Sequence, residues 1–451
     1  MVASISHALA RIKQNWESEL GDDVINDACR QAGHTWRDRL LTPVLTFRLF
    51  LLQILYGNTA CGHVPHLAQK SFTGAAYCDA RKRLPRSVLE SLLARTVSRL
   101  GQSALDGSRW LGHRLFLVDG SSFSMPDKPE LANKFGYPAN QQKGCGFPVA
   151  HWIAMMHCAT GLIMKVAAAP LRTNDPRLLP EIHPELQAGD VLVGDRMFCS
   201  FAHFSVLLQR GAHGLFRLKD QIVDFTPGRP HTTPRRAAKG IGKGLPRSRW
   251  VQALGEKDQI VEWFRPLSRP EWLTAEQLAS LPDTLRLREL CYRIAQPGFR
   301  VREVTVVTTL LDAAIYSADE LAGLYFKRWR IEVNFRHVKT TMGMDAVHCH
   351  SVEGVLKELT MFALVYNLVR LTMHAAAERQ QTPVERLSFI DALRWLMHAD
   401  ANTPLTEIRV NPHRPDRFEP RVIKLRPKHF PRLKKPRAQL RQEWLDKALT
   451  P

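Results

Sequence analysis

Three short apolar runs in this chain stop at an aspartate, and that pattern constrains the fold more than any other feature. Arg114–Val118 runs into Asp119-Gly120-Ser121, Val191–Gly194 into Asp195, and the β-branched run Arg302–Leu311 into Asp312. Apolar runs this short, bounded by turn-forming residues, read as buried strands. The third is followed by Ser317-Ala318-Asp319-Glu320, an N-cap with acidic residues in the first turn, which predicts a helix to about Gly343. Strands alternating with helices specify an α/β sheet, and such sheets place their chemistry at strand ends.

The rest of the chain fills in around that sheet. Val149–Cys158 and Leu162–Ala169 read as a hairpin turning at Ala159-Thr160-Gly161, Phe201–Gln209 as a helix and His213–Leu218 as a strand. Residues 1–105 look helical, with helical spacing in His34–Leu55 and Ser87–Leu100. The polar stretch Gly57–Gly74 separates these helices, and Arg81, Lys82, Arg83 and Arg86 form a basic cluster beside it. Such a module suits DNA binding, and equally a solvated helix face. Residues 220–300 read as a β-rich insertion, with strand-like runs at Gln259–Phe264 and Thr284–Ala295. Within it Thr226–Trp250 holds seven Lys/Arg and no acid, a basic loop fit to lie along phosphates. The core thus comprises 106–219 with 301–375, ending in a helix over Val352–Ala377. Residues 376–451 form a basic C-terminal region suited to dimerisation.

The formal net charge of +20 points to a polyanionic partner, nucleic acid or an acidic membrane surface. No apolar run reaches the ~20 residues a spanning helix needs, Met1–Glu17 has no apolar stretch of the secretory kind, and no basic amphipathic helix of useful length appears. Nucleic acid is therefore the expected partner and a membrane is not. The eight cysteines are scattered without a Cys-x-x-Cys pair, as expected of reduced thiols in the cytoplasm. His348-Cys349-His350, with His337 near, lacks the second ligand pair that tetrahedral zinc wants. Gln141–Gly146 is glycine-rich without a phosphate-loop pattern.

Cutting a phosphodiester needs an activated nucleophile and stabilised phosphoryl oxygens, and two Mg²⁺ ions on converging carboxylates supply both. Asp119, Asp195 and Asp312 each end a strand, so strand position alone leaves the third ligand open. In the following helix Tyr325, Arg328, Glu332 and Lys339 fall within an arc of about 60°, beside an apolar stripe of Leu324, Ile331, Phe335 and Val338. Spacing alone fits a functional row or a solvated face with an Arg328–Glu332 pair.

Tyr325-x₂-Arg328-x₃-Glu332-x₆-Lys339 resembles the Tyr-Arg-Glu-Lys pattern of a family of bacterial insertion-sequence DDE transposases. Leu117-Val118-Asp119-Gly120-Ser121 and the segment Gly189 to Arg196 resemble that family's two Asp segments, and the resemblance spans roughly residues 40–375. It implies an RNase H-like catalytic core with a β-rich insertion before the Glu. It implies a triad of Asp119, Asp195 and Glu332 holding two Mg²⁺ ions, with Mn²⁺ as a substitute, and makes Asp312 a turn residue. It assigns Tyr325, Arg328 and Lys339 to the cleaved DNA end. The expected activity is binding of terminal inverted repeats, cleavage by metal-activated water, and joining of 3′-hydroxyl ends to target DNA. The partners are double-stranded DNA and a second copy of the chain bridging paired ends, at the bacterial nucleoid. A nuclease or resolvase that cuts without joining, or an inactive copy acting as a repressor, is the alternative. Some relatives stack a flipped base on a Trp of the insertion; Trp250, Trp263 and Trp272 lie there, and none aligns with it.

Overall fold

In the computed structural model the described residues are 20–68, 70–98, 109–138, 145–171, 173, 175–218, 223–229, 246–294, 302–398, 405, 407–412 and 435–448. One mixed sheet of nine strands organises them, in the order β3-β2-β1-β4-β5-β9-β8-β7-β6. β1 (Leu115–Ser124), β2 (Val149–His157) and β3 (Ile163–Pro170) form an antiparallel meander, while β4 (Val191–Gly194) and β5 (His213–Arg217) lie parallel to β1. β6 (Ser248–Gly255), β7 (Asp258–Phe264) and β8 (Thr284–Ile294) reach the sheet through β9 (Arg302–Thr308), which pairs antiparallel with β5. The strands read as an insertion therefore extend the sheet that carries Asp119.

Apolar cores cover both faces, which is why β1 and β4 read as continuous apolar runs without alternation. Residues along a strand alternate between faces. Leu115, Leu117, Val191 and Val193 join one core; Phe116, Val118 and Leu192 join the other. Helices of the N-terminal module pack in the first core: α1 (Asp22–Gln31), α2 (Pro43–Leu55) and α5 (Arg86–Ser98), with α3 (Val64–Ala68) and α4 (Gly74–Arg83) beside them. α2 begins later than helical spacing from His34 predicts. Thr42 caps it by accepting from the Leu45 amide at 3.2 Å, and Pro43, with no N–H to lose, occupies the first turn. Two short helices follow, α6 (Pro129–Phe135) and α7 (Leu179–Ile182); then α8 (Phe201–Gln209) covers the second core, with α9 (Ala275–Ala279) beyond.

The helix foreseen over Ser317–Gly343 is irregular. Ser317 does cap α10 (Ala318–Lys327), but a turn at Arg328 separates it from α11 (Trp329–Arg336), and His337–Thr341 winds as a π-turn. A constant 100° per residue therefore does not hold as far as Lys339. Asp312 is exposed; its carboxylate accepts from the Ala314 amide at 2.8 Å, a turn geometry.

α12 (Val352–Arg379) is buried along most of its length and packs against α2, α5, β3 and α13 (Phe389–His398). It also closes the sheet edge. Asn367 accepts from the Ile163 amide at 2.8 Å and donates to the Ile163 carbonyl at 2.9 Å, pairing both backbone groups of one edge residue. Arg370 donates to the Thr160 carbonyl in the β2–β3 turn, against Gly161, where a Cβ would stand 2.8 Å from the guanidinium. A last helix, α14 (Arg437–Ala448), lies in the basic tail.

Two expectations for basic residues are corrected. Arg81 is only 8% exposed, stacked on Phe50 and donating to Gln53, so burial removes it from the surface cluster. Arg229 is buried and donates to the Asp224 carbonyl and Ser248 hydroxyl, so it does not lie along phosphates. The middle of the basic loop, residues 230–245, and the stretch 139–144 lie outside the described residues.

Arg288 on β8 joins the added strands to the segment before α10. It forks onto Asp258 and donates to the Tyr316 carbonyl, at 1% side-chain exposure. Removing one partner leaves a buried charge uncompensated. Arg288→Met and Asp258→Leu are each expected to lower stability by about 3–5 kcal/mol in urea unfolding, and the double variant to recover most of that loss. Single variants with the wild-type midpoint would show that the pair does not hold these elements together.

Candidate active site

Strand parity places the acidic side chains. Asp119 shares its face with Leu115 and Leu117, and Asp195, one residue past β4, shares that of Val191 and Val193. Both therefore face the core containing Leu321, Leu324, Ile331 and Phe335 of α10 and α11. The parallel register pairs Val118 with Gly194, so the two aspartates follow a shared rung of adjoining strands. Gly194 itself has no room for a side chain: a Cβ would meet Phe198 at 2.8 Å and Val118 at 3.0 Å.

Local bonds orient each carboxylate. Asp119 Oδ1 accepts from the Gly120 amide at 2.8 Å, and Asp195 Oδ1 from the Met197 amide at 2.7 Å. Arg328, at the junction of α10 and α11, keeps helical backbone angles and reaches β1 with its guanidinium. Nη1 lies 3.3 Å from Asp119 Oδ2 and Nη2 2.6 Å from Glu332 Oε1, so one cation bridges the strand and helix carboxylates. The Arg328 and Asp119 side chains are 16% and 17% exposed. Tyr325 is buried with its ring 5.9 Å from the Arg328 guanidinium carbon. Lys339 donates to the Ser121 hydroxyl at 3.0 Å and lies 3.5 Å from Asp345. Ser121 is two residues from Asp119 and on the same face. The segment after the π-turn returns along β1, with the Ser124 amide donating to the Asp345 carbonyl and the Val347 amide to the Ser124 carbonyl.

All six residues singled out in the sequence thus lie at one place, the middle of β1, the turn after β4 and the helix across them; the strand expected to stop at Asp119 runs on to Ser124, because β2 pairs with it throughout. Sequence reasoning missed Ser121, which follows from strand parity, and Arg217 at the end of β5, whose charge acts on Tyr325. No spacing pattern ties Arg217 to the helix. Trp263 is buried in the core, its indole donating to Glu289 at 2.9 Å. Trp250 and Trp272 are half-buried. Cys349 accepts from Arg81 at 3.0 Å, and the His348 and Cys349 amides donate to Glu358, so structural bonds occupy that segment.

The electrostatics of the site are dominated by burial. Burial pushes the Asp119 carboxyl up to about 7, and the charges of Asp195 and Glu332 push the same way, against Arg328 and the Gly120 amide. Burial likewise pushes the Tyr325 hydroxyl up to about 12. Burial opposes the Arg328 charge, but Tyr325, Glu332 and Asp119 outweigh it and raise its pKa. Among the described residues no three acidic, imidazole or thiol groups stand close enough to hold one ion, and the Arg328 guanidinium lies between two of the acids. The donors are all carboxylate oxygens, the ligand chemistry that a hard divalent cation takes.

Comparison with known proteins identifies the class. Residues 110–368, more than half of the chain, match the model of the transposase DDE domain. The chain belongs to that family, whose members are DNA-cleaving and strand-transferring enzymes. It is similar to the transposase InsG of insertion sequence element IS4 from Escherichia coli K12, at 23% identity over 381 residues, 79% of this chain and 78% of the relative. The putative transposase InsZ of the same organism is 26% identical over 170 residues, 36% of this chain and 57% of that protein. A solved piggyBac transposase synaptic complex with hairpin DNA aligns at a TM-score of 0.44 and 8% identity, covering 88% of this chain and 79% of that one.

The raised Asp119 carboxyl has a consequence for stability. Below about pH 4 it is protonated in both folded and unfolded chains and contributes nothing. Between about pH 4 and 7 the unfolded chain releases the proton and the folded chain keeps it, so stability falls as pH rises, and the full penalty stands above pH 7. Asp119→Asn in EDTA is therefore expected to be more stable than wild type by about 2–4 kcal/mol at pH 8 and by almost nothing at pH 4. A melting temperature below wild type at pH 8 would mean that burial imposes no such penalty on the Asp119 carboxylate.

Proposed function

We propose that this chain is an insertion-sequence transposase whose RNase H-like core uses Asp119, Asp195 and Glu332 as a single acidic triad. The supporting observation is that Asp119, within β1, and Asp195, just past β4, each follow the last parallel pair of those two strands on one face, while Arg328 joins Glu332 to Asp119. Two Mg²⁺ ions, with Mn²⁺ able to substitute, would supply the Lewis acidity that activates a water or 3′-hydroxyl and stabilises the leaving oxygen. The chain's own residues do the rest. Asp119 offers oxygens from within β1 and Asp195 from the turn after β4, and Glu332 offers one from the facing helix. Arg328 and Lys339 are cations within contact distance of the same strand end and suit phosphate, Arg328 as a fork and Lys339 as a point charge. Tyr325 holds the Arg328 guanidinium against its ring and limits its reach.

The substrates in this reading are the terminal inverted repeats and a target duplex. The net charge of +20 supplies the non-specific attraction. Two ends are bridged by two copies of the chain.

Full-length protein with labelled duplex carrying the gene's own flanking ends tests the reading. Glu332→Gln is expected to lose cleavage and strand transfer about a thousandfold or more in Mg²⁺ or Mn²⁺, while end binding stays within about threefold. Cleavage by the variant at the wild-type rate would remove Glu332 from the triad. Cleavage without joining by the wild type would make the chain a nuclease, and binding without cleavage a regulatory copy.

A further inference from the structure

The Arg328 guanidinium touches the oxygens that the proposed metal site needs. Nη1 contacts Asp119 Oδ2 and Nη2 contacts Glu332 Oε1, so a cation drawing on those two atoms and the arginine fork exclude one another. The fork is also well supported. Arg328 sits at the single turn between α10 and α11 with Tyr325 beside it, and its side chain is mostly buried. The Asp119 arm, at 3.3 Å, lies between mostly buried side chains, and the Glu332 arm, at 2.6 Å, is a charge-assisted i,i+4 bond to a carboxylate that is 38% exposed.

From this mutual exclusion we infer that Arg328 is a built-in placeholder: in the DNA-free protein it pairs with two acids of the triad and competes with divalent metal, and a bound DNA end releases it. The inference rests on the triad reading above. A phosphate brought to the strand end offers the guanidinium an alternative fork of oxygens, and each arginine drawn onto phosphate uncovers Asp119 and Glu332. Thermodynamic reciprocity follows: whatever factor the DNA end adds to metal affinity, metal adds to affinity for the DNA end. The same cation that holds the acids together in the resting protein thereby ties assembly of the metal site to the presence of substrate. Lys339 is not part of the exclusion, because its partners are the Ser121 hydroxyl and Asp345 rather than the triad.

The role predicts an effect opposite to ordinary loss of a structural contact. Removing an arginine that merely holds the site together would loosen the acids and weaken metal binding. Removing a competitor strengthens it. The test is Mn²⁺ titration of the full-length chain, read by the electron paramagnetic resonance of free Mn²⁺, with and without a duplex carrying the gene's end but blocked at the cleavage position. Without DNA, Arg328→Gln is expected to bind Mn²⁺ about tenfold more tightly than wild type, with Arg328→Lys between them, a factor in keeping with the loss of one charge-assisted pair. The blocked duplex is expected to tighten Mn²⁺ binding to wild type by a similar factor and to Arg328→Gln by much less. Circular dichroism melting identifies a variant that has failed to fold, and Arg328→Lys, which keeps the charge, then carries the comparison.

Equal or weaker Mn²⁺ binding by folded Arg328→Gln overturns the placeholder role. So does a duplex that tightens binding equally in both proteins. Mn²⁺ binding that survives Asp119→Asn and Glu332→Gln unchanged defeats the triad reading itself, and so separates its failure from that of the placeholder.

Discussion

Carboxylates gathered at one end of a sheet repel one another, and a protein that keeps them there has to hold positive charge among them. In the chain alone that charge is the Arg328 guanidinium, shared between Asp119 and Glu332 while burial and neighbouring acids hold the Asp119 carboxyl up to about 7. Much of the surrounding architecture serves to keep this arrangement in place. β1 lies between an antiparallel partner and a parallel one, so Asp119 sits on a strand fixed from both sides. Gly194 lets the following turn close against Phe198 and Val118, which places Asp195 beside it.

The helix across these strand ends is held at three points. Ser317 caps its start, Arg288 grips the Tyr316 carbonyl just before it, and the segment after its π-turn pairs with Ser124 at the far end of β1. Its irregularities coincide with its polar contacts. Arg328, at the junction of the two helices, contacts two acids, and Lys339, within the π-turn, contacts Ser121. Behind the sheet, α12 occupies the core and supplies Asn367 and Arg370 to an edge strand and a hairpin turn that would otherwise leave backbone groups unpaired. The strands of the insertion prolong the sheet through β9, so the beginning of the catalytic helix is anchored to them as well as to the core.

Much of this was legible in the sequence because the strong signals are local. The β2–β3 hairpin, β7, β8 and α12 fall within a few residues of their expected bounds, since apolar runs and turn residues fix them directly. The start of α2 was misplaced because helical spacing extends past a Thr-Pro start signal that overrides it. The burial of Arg81 and Arg229 was illegible: each is satisfied by partners from distant parts of the chain or by backbone carbonyls, which no count of basic residues reveals. For the site, the residue row was readable and its geometry was not. A regular helix predicts four side chains on one arc; in the structure Arg328 reaches Asp119 and Lys339, within a π-turn, reaches Ser121. The contact of Arg328 with Asp119, 209 positions away in sequence, is a tertiary fact that spacing cannot supply.

The most direct measurement is to put a reactive metal into the proposed site and see which peptide bonds it breaks. Fe²⁺ takes the same oxygen-rich ligands as Mg²⁺ and, with ascorbate and peroxide, cleaves the polypeptide close to where it is bound. With the full-length protein on its DNA end, cuts mapped by mass spectrometry should cluster at three places distant in sequence: the middle of β1 near Asp119, the turn after β4 near Asp195, and α11 near Glu332. Excess Mg²⁺ should suppress all three together. Cuts confined to one of these segments, or gathered instead around His348–His350, would contradict the account of a single metal centre built from the three acids.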